Sequence, residues 1–169
     1  MKNKILKFIT GALVILWMII VFLFSSETSD KTNNTSGNFT EKIVNIISNV
    51  INKSEIEKEE LVQKIEPYIR KITHYSLYTI GGSFIIISVI QYKKINEKNR
   101  IIISLGIGIL YAISDEIHQY FVPGRSCTIK DVYIDSLGIA TGICFILITN
   151  KIYEYIKYYN LKNNHKGIN

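Results

Sequence analysis

The chain has 169 residues, nearly half of them apolar, and a net charge of +6. That length suits one compact unit, and the apolar residues fall in blocks rather than being spread, which points to membrane spans. The excess cations flank those blocks, and no phosphate loop, zinc-knuckle spacing or basic–aromatic stripe accompanies them, so nucleic acid is excluded as a partner.

The first block, about 5–24, follows Lys2, Lys4 and Lys7 and is long enough to cross a bilayer, which takes about 20 residues. A signal peptide is the alternative, but no A-x-A cleavage site follows, and a retained anchor is the preferred reading. Next comes a long polar loop. Phe39, Ile43, Ile46, Ile47, Val50 and Ile51 recur at helical spacing and predict an amphipathic helix at about 39–52. Ser54 with Glu57 forms a capping signal for a second helix at about 55–66, which Pro67 is expected to end. Both helices lie on the membrane surface or cap the bundle.

The second span is expected at about 72–92, the third at about 101–121 and the fourth at about 132–149. Lys93, Lys94, Lys98 and Arg100 lie between spans two and three, and Lys151, Lys157, Lys162 and Lys166 follow span four. With alternating spans these cations and the N-terminal lysines share one side, so that side is cytoplasmic and holds both termini. The fold class is therefore all-α: a four-transmembrane-helix bundle over residues 1–150 with a helical extracellular loop, then a cytoplasmic basic tail over 151–169. Cys127 and Cys144 are too far apart along the chain to pair and are read as incidental.

The third span carries the chemistry. Its apolar run, Ile101 to Ile113, would cover only about 20 Å as a helix, short of a hydrocarbon core near 30 Å. The helix must continue through "SDEIHQYFV", which places Asp115, Glu116, His118 and Gln119 at the outer edge of the apolar layer. Ionisable groups there are costly and face the bundle interior, a partner charge or water. Asp115 shares a face with His118, Gln119 and Tyr111, whereas Glu116 turns to the adjacent face. Pro123 and Gly124 end the helix and Arg125 emerges after them.

Other polar residues reach the same level. Ser25, Ser26 and Glu27 end span one; Arg70, Lys71 and His74 begin span two; Asp131 and Asp135 begin span four. Asp131 with Thr128 reads mainly as a helix cap, and Lys71 as an interface anchor. Gly138 and Gly142 form a small-xxx-small pair that permits close helix packing. Asp, Glu and His are metal-ligand types, but their spacing matches no recognised metal motif, so no metal or cofactor is assigned.

Three sets of residues resemble the VanZ-like family of bacterial membrane proteins. "DEIHQYFVPGR" with "DVYIDSLGIATG" matches its longest block at Asp115, Glu116, Gln119, Pro123, Gly124, Arg125, Asp131, Asp135, Gly138 and Gly142. "RKITHYSLY" matches a second element at Arg70, Lys71, His74 and Tyr78, and "FSSE" a third, with Glu27 where the family pattern has Gln. The resemblance spans about Trp17 to Gly142. It implies a multi-pass protein of the bacterial cytoplasmic membrane, related to accessory proteins that lower teicoplanin susceptibility without remodelling the wall precursor. It implies no reaction.

Three functions compete. In the first, an outward polar cup binds membrane lipid headgroups, a lipid-linked wall precursor or a glycopeptide antibiotic. Its ligand-binding residues are Arg70, Lys71, His74, Asp115, Glu116, Gln119, Arg125 and Asp135, with the arginines gripping phosphate or carboxylate. In the second, the protein is an enzyme on a lipid-linked substrate, with Asp115 or Glu116 as general base and His118 or His74 as proton donor. The third, a carrier, is disfavoured because no ionisable residue sits mid-span and no pair of interrupted helices is present.

Overall fold

The computed structural model describes residues 2–26, 55–123, 125 and 127–166. Among them there are four helices and no strand: α1, Lys2–Ser25; α2, Glu55–Ile90; α3, Glu97–Tyr120; and α4, Ile129–Lys166. All four are long and apolar enough to cross a membrane. The amphipathic helix expected at about 39–52 lies outside the described residues.

The outward-facing surface explains the four apolar blocks. Phe8, Leu110 and Phe145 stand 78%, 69% and 61% exposed, which water would not tolerate in such number but lipid does. The interior is small and built from aromatic and β-branched side chains. Trp17 and Val21 of α1 meet Tyr78, Ile85 and Ile86 of α2, Ala112 of α3, and Ile139 and Ile143 of α4. The Trp17 indole N–H donates to the Leu77 carbonyl at 2.9 Å, and its ring meets Tyr78 edge-on and Tyr111 at a tilt. The first helix is thus part of the core.

The most extensive helix pair is α2 against α4. Its closeness follows from glycine. A methyl group on Gly142 would collide with the Thr79 carbonyl oxygen, and one on Gly138 would sit 2.6 Å from that of Tyr75. Packing between helices in lipid has no hydrophobic drive and depends on such approach. Ser83 sits in this seam, its hydroxyl bonding the carbonyls of Thr79 and Gly142.

The break expected at Pro67 does not occur. The segment 55–66 and span two form one 36-residue helix with Pro67 inside it. Proline frees the carbonyl of residue 63 and strains residue 66, and in a buried helix that would kink or stop it. Pro67 is exposed, among exposed Glu60, Lys64 and Tyr68, where water can satisfy the freed carbonyl. At about 54 Å, α2 is much longer than the hydrocarbon core, so its first turns project beyond it. Helix α4 projects likewise at the opposite end, where residues 151–162, within the basic segment set apart as a tail, continue the helix fully exposed.

Candidate functional site

Among the described residues, the polar side chains predicted to share one end of the bundle lie at that end; Glu27 lies outside the described residues. Asp115, on α3, is 3% exposed, and its Oδ2 is the hub. It accepts hydrogen bonds from the Ser25 hydroxyl of α1 at 2.8 Å, the Tyr78 hydroxyl of α2 at 3.0 Å and the Gln119 amide one turn along at 3.0 Å. Gln119 also approaches Ser25 at 3.4 Å. One carboxylate oxygen therefore ties three helices together. Its other oxygen, Oδ1, is buried and has no hydrogen-bond partner among the described residues.

Asp135 approaches from α4. It is 1% exposed, and neither of its carboxylate oxygens has a hydrogen-bond partner among the described residues. The nearest basic group is His74 of α2, whose Nδ1 lies 3.7 Å from Asp135 Oδ1, too far for a hydrogen bond. The His74 ring stacks over Tyr78. His74, Asp115 and Asp135 each offer a ligand-type atom, all within 4.8 Å of one another.

Glu116 faces the α3–α4 connection instead. Its Oε2 accepts the backbone N–H of Thr128 at 3.1 Å. Thr128 is the residue before α4, and its hydroxyl accepts the Asp131 N–H and donates to Asp131 Oδ2 at 2.6 Å. The expected cap is present, with Glu116 binding the cap's own N–H from a neighbouring helix. Asp131 thus serves chiefly as part of the cap.

A cleft opens over this cluster, lined by Arg70, Lys71, His74, Glu116, Gln119, Asp131, Ile134 and Asp135. Its free volume is about 10 Å³, about that of one water-sized sphere. Arg70 is half-buried in its wall and Lys71 is exposed at its rim. The floor is acidic and narrow, and the rim is basic.

Two expected members lie elsewhere. His118 faces α1, its Nε2 3.0 Å from the Ser26 hydroxyl and its ring stacked on Phe22. Arg125 is turned inward: its guanidinium donates to Gln119 Oε1 at 3.3 Å and to the Phe24 carbonyl at 3.0 Å. It fastens the end of α1 to α3. Tyr111, expected beside Asp115, donates instead to the Met18 carbonyl. Ser25 and Tyr78, absent from the predicted binding set, turn out to be direct partners of Asp115; a buried carboxylate calls for donors, and both hydroxyls lie within reach of it.

Both cysteines are free. Desolvation, then the neighbouring Glu116 carboxylate, pushes the Cys127 thiol above its ordinary range.

Neither the curated proteins nor the solved structures include a match to this chain. A family profile does match, over residues 10–150, a stretch that contains every side chain of the cluster and reaches into all four helices. On that match this four-span membrane protein belongs to the VanZ/LLP1 family.

Proposed function

We propose that the protein is an envelope protein of the cytoplasmic membrane that presents this cleft on the outer face and binds there the anionic headgroup of a lipid or lipid-linked wall precursor. The orientation is supported by the opposite end. There Lys7 stacks over Tyr92, Lys151 approaches Glu97 at 3.5 Å, and Arg100 reaches the Tyr92 carbonyl, so the basic segments gather at one end of the bundle. Short basic segments stay in the cytoplasm, which puts both termini inside and the cleft outside.

The observation that carries the reading is the presence of Arg70 and Lys71 together at the mouth of a polar cleft. The cleft is too small for a sugar, so the ligand's bulk rests outside. Its phosphate or carboxylate meets the rim, where an arginine gives two parallel hydrogen bonds. Arg125 supports this arrangement as a helix fastener. Occupying a wall precursor's headgroup would alter glycopeptide access, consistent with the teicoplanin-related role of VanZ-like proteins.

Native mass spectrometry of the protein with phosphatidylglycerol or phosphatidylcholine tests the reading. Preferential retention of the anionic lipid is expected, with Arg70→Gln weakening it about tenfold, the cost of one charge-assisted bond. Equal retention of both lipids, or no effect of Arg70→Gln, would refute it.

An enzymatic reading draws on a different observation, the buried Asp115 and Glu116 carboxylates at the cleft that His74 lines. It requires that envelope lipids incubated with the reconstituted protein yield a new product, and that Glu116→Gln combined with Asp115→Asn abolish it.

A further inference from the structure

The cluster beneath the cleft is electrostatically unfinished. Asp115 and Asp135 are both at least 97% buried, and three of their four oxygens have no hydrogen-bond partner among the described residues. Uncompensated carboxylates in a low-dielectric interior are expensive. Among the described residues, the one basic side chain within ion-pair distance of Asp135 is His74. A protonated imidazole would balance only one of the two charges. A divalent cation held by a neutral imidazole would balance both.

Geometry agrees. Donor atoms about 2.0–2.1 Å from one ion lie roughly 3–4 Å apart. The His74–Asp135 separation of 3.7 Å falls in that range, and the full set within 4.8 Å closes to it with small side-chain rotations. The donors come from three helices, which the glycine seam and the Asp115 hub already hold together. Ser25 and Tyr78 bond Asp115 through Oδ2 and leave Oδ1 as the unpartnered oxygen. Such outer hydrogen bonds are what orient a metal-binding carboxylate. The adjoining free volume has room for about one water, enough for a fourth ligand.

From these observations we infer that His74, Asp115 and Asp135 form a binding site for a single divalent transition-metal ion. One nitrogen and two carboxylates, without thiolate, suit zinc or manganese. His74 and Asp135 also line the cleft, so an ion held by them would adjoin the place of the proposed headgroup. The inference shares that site with the proposed function but requires no lipid.

The test uses the full chain in detergent, stripped with a chelator and titrated with Zn²⁺ or Mn²⁺ alone by calorimetry and thermal unfolding. One ion per chain and a raised Tm are expected. Asp135→Asn and His74→Ala should each weaken binding by on the order of 100-fold or more, and Tyr78→Phe about tenfold, the range for losing an orienting hydrogen bond. Co²⁺ absorption needs no variant. Visible ligand-field bands without thiolate charge transfer are expected; no bands, or thiolate bands implicating Cys127, would overturn the site. Failure of the wild type to bind either ion, or binding unchanged in Asp135→Asn, would do the same. Lipid retention measured with chelator present separates the two claims: retained lipid with no metal binding sinks only the metal, and metal binding without anionic-lipid preference sinks only the headgroup reading.

Discussion

The two ends of the bundle carry charge in opposite ways. At one, Lys7, Tyr92, Glu97 and Lys151 meet in pairs that are largely open to solvent, with Lys151 and Glu97 side chains 75% and 59% exposed. At the other, Asp115, Glu116 and Asp135 are all buried; Asp115 is joined to two hydroxyls and an amide, and Glu116 to a helix cap. The first pattern is what any membrane helix needs to hold its depth. The second costs desolvation energy that no anchoring requirement explains. The contrast teaches that here burial, more than the number of charges, distinguishes the end that carries the candidate site.

Breaking the seam that brings the helices together should have the largest effect. Gly142→Leu drives a branched side chain into the Thr79 carbonyl and should cost about 3 kcal/mol or more; thermal unfolding in detergent reads it. Asp115→Ala should follow at about 2 kcal/mol, three interhelical or local bonds at roughly 0.6 kcal/mol each in lipid. It should also loosen α1, visible as faster alkylation of a cysteine placed at Ser25. Thr128→Ala, which removes the α4 cap, should cost about 1 kcal/mol. At the other end, Lys151→Ala should change stability by less than about 0.5 kcal/mol, as expected of an exposed pair. If the lysine end proved as sensitive as the polar end, the contrast would be lost.

Residues whose role is set by depth along a helix were legible in the sequence. The four spans, the placement of Asp115, Glu116 and Asp135 at one level, the Thr128 cap and the Gly138–Gly142 seam all follow from periodicity and length, and the structure contains them. Residues whose role depends on how one helix is rotated against another were not. His118 and Gln119 are adjacent in sequence, yet one faces Phe22 and the other the buried hub. Arg125 turns inward because the Phe24 carbonyl, freed at the end of α1, lies within its reach. Pro67 stays helical because its surroundings are exposed, a property of the assembled chain rather than of the local sequence.

Whether the helix tips form one receptacle is most directly read by thiol linking in native membranes. Cysteines replace Ser25 and Asp115, whose oxygens lie 2.8 Å apart, in a chain lacking Cys127 and Cys144. A short bifunctional thiol reagent should join them within one chain, and in a separate variant a membrane-impermeant thiol reagent should reach Lys71→Cys, at the exposed rim, only from the outer side. No link between positions 25 and 115, or labelling of position 71 from the cytoplasmic side, would contradict the account.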